Sequence, residues 1–84
     1  MSQWQKLLDR ILSGKTDANI NFVELCSLLM RMGFVERIKG DHHIFQKEGI
    51  ADIINIQPLN AKAKDYQVRK IRHLFKQYGL TSVR

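Results

Sequence analysis

The 84-residue chain is 44% hydrophobic and 26% charged, which is the size and composition of one small folded domain. It contains no repeat or low-complexity segment, which excludes a repeat protein or a disordered chain, and no apolar run approaches the roughly 18 residues of a membrane span. The start MSQWQKLLDR lacks the layout of a signal peptide. We therefore predict a single cytoplasmic domain over residues 1–84.

The net charge of +6 is concentrated at one end of the chain. Residues 1–59 hold seven Lys and Arg against seven Asp and Glu, whereas residues 60–84 hold seven Lys and Arg against Asp65 alone. Such an asymmetry favours a polyanionic partner such as a nucleic acid.

Two helices are predicted in the first third of the chain. Apolar residues recur at helical spacing from Trp4 to Leu12, and Gly14 follows as a left-handed cap. After a polar segment, Asn21 with Glu24 resembles a capping box that opens a second, largely apolar helix over 22–32. Cys26 lies within this apolar pattern, so we interpret it as a core residue. A lone cysteine also excludes an internal disulfide.

Three short strands follow, with sequences FVERIK, HHIFQK and DIINIQ. The first two are predicted to form a hairpin with a two-residue Gly40–Asp41 loop, in which glycine supplies the positive φ of a type II′ turn. Pro58 ends the third strand. A last helix is predicted from Asp65, as its cap, to Tyr78, with Gly79 as its stop.

The last helix divides into an apolar and a cationic side at 100° per residue. Five apolar residues from Val68 to Tyr78 fall within a sector of about 120°. The cations Arg69, Arg72 and Lys76 lie on an adjoining stripe. Lys62 and Lys64 precede the helix N-terminus, where free N–H groups favour phosphate.

The predicted order of elements gives an α+β fold, with a three-stranded antiparallel sheet covered by helices on one face. If the first helix is set aside as an N-terminal extension over residues 1–20, the remaining α-β-β-β-α order resembles the double-stranded RNA-binding domain.

His42 and His43 leave three interpretations open. Neighbours on a strand point to opposite faces and cannot easily share one ion, so we predict no metal and no cofactor. One histidine is expected to pack in the core. The other is suited to RNA cleavage, because RNA carries its own nucleophile and a histidine with an ordinary pKa near 6.5 can take or give the proton. A non-catalytic RNA-binding module and a domain that docks an acidic protein remain as alternatives.

The motif GDHHIF, followed by IINIQPLNAKAKDYQVRKIRHLFKQYGL, resembles the HicA toxins of bacterial toxin–antitoxin modules over roughly residues 22–80. The resemblance implies a HicA-like core over 21–80, a metal-independent endoribonuclease acting on mRNA, and inhibition by a HicB-type antitoxin. It also implies that the second histidine, His43, is catalytic. The RNA backbone would be held by Lys62, Lys64, Arg69, Arg72 and Lys76. Asp41 departs from the family, where serine is commoner.

The hairpin register conflicts with that choice of histidine. With the two-residue loop, His43 shares a face with Phe34, Ile38 and Phe45, whereas His42 shares one with Arg37 and Lys39. This pattern alone favours His42 as the exposed residue. A bulge would reverse it, so the prediction follows the motif and names His43 as catalytic, which leaves His42 as the packing histidine.

Overall fold

The computed structural model describes residues 2–83 and has the predicted α+β architecture. Three helices, α1 (Gln3–Ser13), α2 (Phe22–Arg31) and α3 (Asp65–Gln77), accompany five strands: β1 (Val35–Lys39), β2 (His42–Gln46), β3 (Ile54–Ile56), β4 (Pro58–Leu59) and β5 (Lys62–Ala63). Within residues 2–83, no helix has the length and apolar character needed to cross a bilayer.

The helix ends follow the local sequence with one exception. The Asn21 side chain accepts a hydrogen bond from the Glu24 N–H at 2.9 Å, as expected of an N-cap. Gly14 ends α1 in the left-handed region with φ 69°. The prediction that Asp65 caps α3 is wrong, since Lys64 occupies the cap position and Asp65 is the first helical residue. A carboxylate is still favourable there because it faces the positive end of the helix dipole.

The β1–β2 hairpin has the register that the two-residue loop predicts. Lys39 pairs with His42 and Ile38 with His43, without a bulge. Gly40 has φ 64°, and Asp41 is not among the residues with positive φ, which fits the predicted type II′ turn. β2 also pairs with β3 to complete an antiparallel sheet of order β1-β2-β3.

A second, two-stranded sheet was not predicted. Pro58 ends β3 as expected but begins β4, which pairs with β5 across Asn60 and Ala61, both with positive φ. Two backbone hydrogen bonds join the β4–β5 hairpin to the start of α2. The Phe22 N–H donates to the Ala61 carbonyl, and the Ala63 N–H donates to the Ile20 carbonyl. The hairpin places Lys62 and Lys64 in one groove between the segment before α2 and the start of α3.

The helices and one face of the sheet enclose a single core. Phe45, Ile54 and Ile56 point from the sheet into this core, while alternate residues on the same strands point outward. Although α1 lies in the segment predicted to be an N-terminal extension, Leu8 and Ile11 are fully buried in the same cluster. Fully buried residues from α2 and α3 complete it, among them Leu25, Leu28, Leu29, Val68 and Phe75.

An ion pair joins α3 to the segment after α1. Arg72 donates to both carboxylate oxygens of Asp17, at 2.7 and 3.2 Å, and to the Ile11 carbonyl at 3.3 Å. A Cβ at Gly14 would lie 3.2 Å from the guanidinium carbon, so glycine suits both the left-handed φ and this close approach. The hydrogen bond from Arg72 lowers the pKa of Asp17 below its ordinary value of 3.8.

Replacing Asp17 with alanine should destabilise the fold by about 2 kcal/mol at pH 7, because it leaves Arg72 without its charged acceptor. Since the folded-state pKa of Asp17 is lowered, its contribution is present above pH 3.8 and is lost as pH falls through the lowered value. Urea unfolding at pH 7 and below pH 3.8 measures both effects. Glu48→Ala, an exposed change in the loop before β3, is the control and should cost less than about 0.5 kcal/mol. Equal stabilities of the two variants at pH 7 would contradict this role.

Candidate active site

His42 lies on the outer face of the sheet, at the start of β2. Its side chain is 46% exposed, compared with 22% for His43. The register explains the difference, because the turn sets His42 opposite Lys39 on the outer face and His43 opposite Ile38 on the helix face. Of the two neighbours, His42 is therefore the more accessible to a polynucleotide.

Two side chains from the region of β3 hold the His42 ring. Its Nδ1 lies 3.0 Å from the Asn55 Oδ1, an acceptor, and its Nε2 lies 3.1 Å from the Gln57 Nε2, a donor. These partners select the neutral tautomer with hydrogen on Nδ1 and the lone pair on Nε2. The Gln57 amide also donates to the Asp41 carboxylate at 3.2 Å. Asp41, which departs from the serine of the motif, therefore helps to orient the Gln57 amide. The ring is thus arranged to accept a proton at Nε2.

A cleft opens beside His42 between β3 and α3. Its volume is about 340 Å³, and its rim includes the side chains of Tyr66 and Lys70. Lys64 reaches the same side, with Nζ 3.5 Å from the Gln57 Oε1 and 6.0 Å from the centre of the Tyr66 ring. His42, Tyr66 and Lys70 therefore line one opening, and the Lys64 ammonium lies next to it, near Gln57 and Tyr66.

His43 occupies a different environment under the start of α2. Its Nδ1 lies 2.8 Å from the Glu36 Oε2, and its ring meets Phe22 edge-on with 4.8 Å between ring centres. Cys26 is the third neighbour, with Sγ 4.0 Å from Nδ1. The ring joins β1, β2 and α2, which is a packing role. The prediction that His42 is the packing histidine is therefore wrong, since His42 lies exposed on the outer face.

Cys26, Glu36 and His43 are also the one group of three potential metal ligands within residues 2–83, with ligand atoms within 4.8 Å of one another. No metal site was predicted at the adjacent histidines or at the lone cysteine, and the grouping of these three residues was not foreseen from the sequence. Burial, with the nearby Glu36 carboxylate, raises the pKa of the Cys26 thiol to about 12. In the absence of a metal the thiol is therefore protonated at neutral pH, whereas the form that binds metals is the thiolate.

The five predicted RNA-contacting cations do not share one environment. Lys64 is linked to His42 through Gln57, and Lys62, which donates to the Asn19 side chain at 2.6 Å, lines a neighbouring groove together with Lys64 and Tyr66. Arg69 and Lys76 are exposed on α3 but do not line the cleft. Arg72 is only 16% exposed and is paired with Asp17, so its charge serves the fold and we leave it out of the RNA surface.

Four cleft residues were not predicted. Asn55 and Gln57 were interpreted only as strand residues, Tyr66 was not singled out, and Lys70 was counted in the basic segment but not assigned a contact. Tyr66 and Lys70 are four residues apart on α3, so they lie on one side of the helix, which the sequence could have indicated. The contacts of Asn55 and Gln57 depend on sheet pairing, which no local pattern reveals.

Comparison with known families identifies the chain. A family model described as HicA toxin of bacterial toxin–antitoxin matches residues 22–80. The chain belongs to the HicA toxin family. Neither the curated proteins nor the solved structures provide a match.

The family match confirms the resemblance noted in the sequence and agrees with a toxin role that implies an antitoxin partner. It covers both histidines, the cleft and α3, whereas α1 lies before it. Helix α1, which precedes the matched residues, is packed into the same core by Leu8 and Ile11.

The environment of Cys26 predicts an unreactive thiol. With a pKa of about 12, the thiolate fraction at pH 8 is small, and labelling by a disulfide reagent should be on the order of 10³-fold slower in the folded protein than after denaturation. Absorbance of the released thiolate follows the reaction. Labelling of the folded protein at the rate of the denatured chain would show that the thiol is neither buried nor protonated.

Proposed function

We propose that this HicA toxin is a metal-independent endoribonuclease that cleaves mRNA in the cytoplasm, and that His42 moves the proton in the reaction. The observation that carries the proposal is the exposed His42 ring, whose Nε2 lone pair faces the donor Gln57. A ribose 2′-hydroxyl is a donor of the same kind and would take the place of Gln57.

The reaction follows from this arrangement. His42 Nε2 accepts the 2′-hydroxyl proton while the oxygen attacks the adjacent phosphorus. The new O2′–P bond replaces the P–O5′ bond, and the leaving 5′-oxygen takes a proton from solvent. Lys70 lines the cleft and Lys64 lies next to it, and in this proposal both would stabilise the negative charge that develops on the phosphorane. RNA supplies the nucleophile and cations offset the charge, so no step needs a metal.

Catalysis by His43 stays a prediction from the motif, and we propose His42 in its place for two reasons. The His43 side chain is half as exposed as that of His42, and its Nδ1 is already bonded to Glu36. Its contacts with Phe22 and Cys26 on α2 support a role for His43 in positioning the β1–β2 hairpin against that helix. In this proposal Arg69 and Lys76 provide more distant contacts to the RNA backbone.

A HicB-type antitoxin is the proposed inhibitor. The net charge of +6 and the cations around the cleft favour an acidic protein that covers His42. Such a partner would block RNA by occupying the same surface. Non-catalytic RNA binding is the rival function, and it predicts binding without product.

Three histidine variants test these assignments in the presence of a chelator. His42→Ala should lower the rate of cleavage of a labelled transcript by about 10²- to 10⁴-fold, since it removes the general base. His73→Gln, at an exposed position on α3 outside the cleft, is the matched control and should cleave normally. His43→Asn, which keeps a donor for Glu36, should retain most activity, and its thermal unfolding reports any loss of fold.

Loss of cleavage in folded His43→Asn, with His42→Ala still active, would return the catalytic role to His43. Wild-type protein that binds the transcript but forms no product would contradict the nuclease and favour the RNA-binding module.

A further inference from the structure

The cleft beside His42 presents free backbone groups as well as side chains. Within residues 2–83, β3 pairs with β2 alone, so its other edge faces α3. In the amide orientation that satisfies both partners, buried Gln67 closes this edge at Gln57: its nitrogen donates to the Gln57 carbonyl and its oxygen accepts from the Gln57 N–H, both at 3.1 Å. Because N–H and C=O groups alternate in direction along a strand, those of Asn55, two residues earlier, point to the same side. They face the cleft.

The remaining walls of the cleft suit a flat, partly apolar ligand. Ile71 and Leu74 line it from α3, and both are buried. Tyr66 is 49% exposed at the rim, with Lys70 four residues later on the same side of the helix. The volume of about 340 Å³ is at the lower end of small-molecule sites. An aromatic face, an apolar wall and a backbone donor and acceptor are the elements that read an unstacked base in single-stranded RNA.

A peptide strand fits the cleft less well. Strand addition needs an open edge along several residues, but β3 is three residues long and Gln67 closes its edge at Gln57. Pro58 follows immediately and has no N–H to offer. The open edge is thus limited to the backbone near Asn55, which is enough for one base.

We infer that this cleft binds one nucleobase of single-stranded RNA, the base whose ribose is presented to His42, and thereby sets the sequence preference of cleavage. The inference rests on the proposed ribonuclease function. Tyr66 provides the stacking surface, and the Asn55 N–H and C=O bond to the edge of the base. Lys64 and Lys70 attract the adjoining phosphates.

Cleavage of a random-sequence RNA pool tests the role of Tyr66. Mapping the product ends of the wild-type protein gives its base preference beside the cut. Tyr66→Ala should flatten that preference and raise KM by roughly 5- to 140-fold, with a smaller change in kcat, because it removes stacking. Tyr66→Phe keeps the aromatic face and should restore both. Val23→Ala, an exposed apolar change on α2, is the control. Unchanged preference and KM in Tyr66→Ala would overturn the inference while leaving the nuclease intact.

Direct binding separates the inference from the catalytic proposal. Amide spectra of ¹⁵N-labelled His42→Ala protein are recorded with each of the four nucleoside 3′-monophosphates and with inorganic phosphate. We expect a saturable shift of the Asn55 amide resonance with at least one nucleotide and a much weaker shift with phosphate alone. The nucleotide shift should be lost in His42→Ala protein that also carries Tyr66→Ala. Nucleotide shifts no larger than those with phosphate would show that the cleft binds no base, whether or not the wild-type protein cleaves RNA.

Discussion

The Gly40–Asp41 turn is the constraint on which the candidate site depends. A two-residue loop leaves no freedom in register, and one residue of slip would exchange the faces of every side chain in the hairpin. With the observed register, His43 turns toward α2 and Glu36, and His42 turns outward toward Gln57. The same adjacent pair thus supplies one ring for packing and one ring for solvent. Because Gly40 has φ 64°, a side chain at this position would strain the turn that sets this register.

The position of α3 gives that outward histidine its surroundings. Gln67 fastens the start of the helix to the Gln57 backbone, and Arg72 fastens its middle to Asp17 and to the end of α1. These contacts anchor the start and the middle of α3, which forms one wall of the cleft. Arg72 was predicted to bind RNA, but its charge is paired with Asp17 within the fold. Helix α1 contributes to the site indirectly, because its Ile11 carbonyl accepts a hydrogen bond from Arg72 on α3.

Much of this could be predicted from the sequence, because it depends on local patterns. Apolar periodicity located all three helices to within about two residues, and the Gly40–Asp41 loop predicted the hairpin register correctly. That register already favoured His42 as the exposed histidine, but the motif led to His43. The β4–β5 hairpin was missed because PLNAKA has little strand character and is held by bonds to the segment before α2. Asn55, Gln57 and Tyr66 come together only after β3 and α3 pack, which no short-range pattern encodes.

In the proposed reaction, the His42 imidazole on the outer face of β2 removes the proton of the RNA 2′-hydroxyl, which then attacks the neighbouring phosphate. The chemistry of the product ends tests it most directly. Incubation of a defined single-stranded RNA with the protein in excess chelator, followed by mass spectrometry of the fragments, should give 2′,3′-cyclic phosphates and 5′-hydroxyl ends. Fragments with 5′-phosphates and 3′-hydroxyls would require an attacking water instead and would contradict the account.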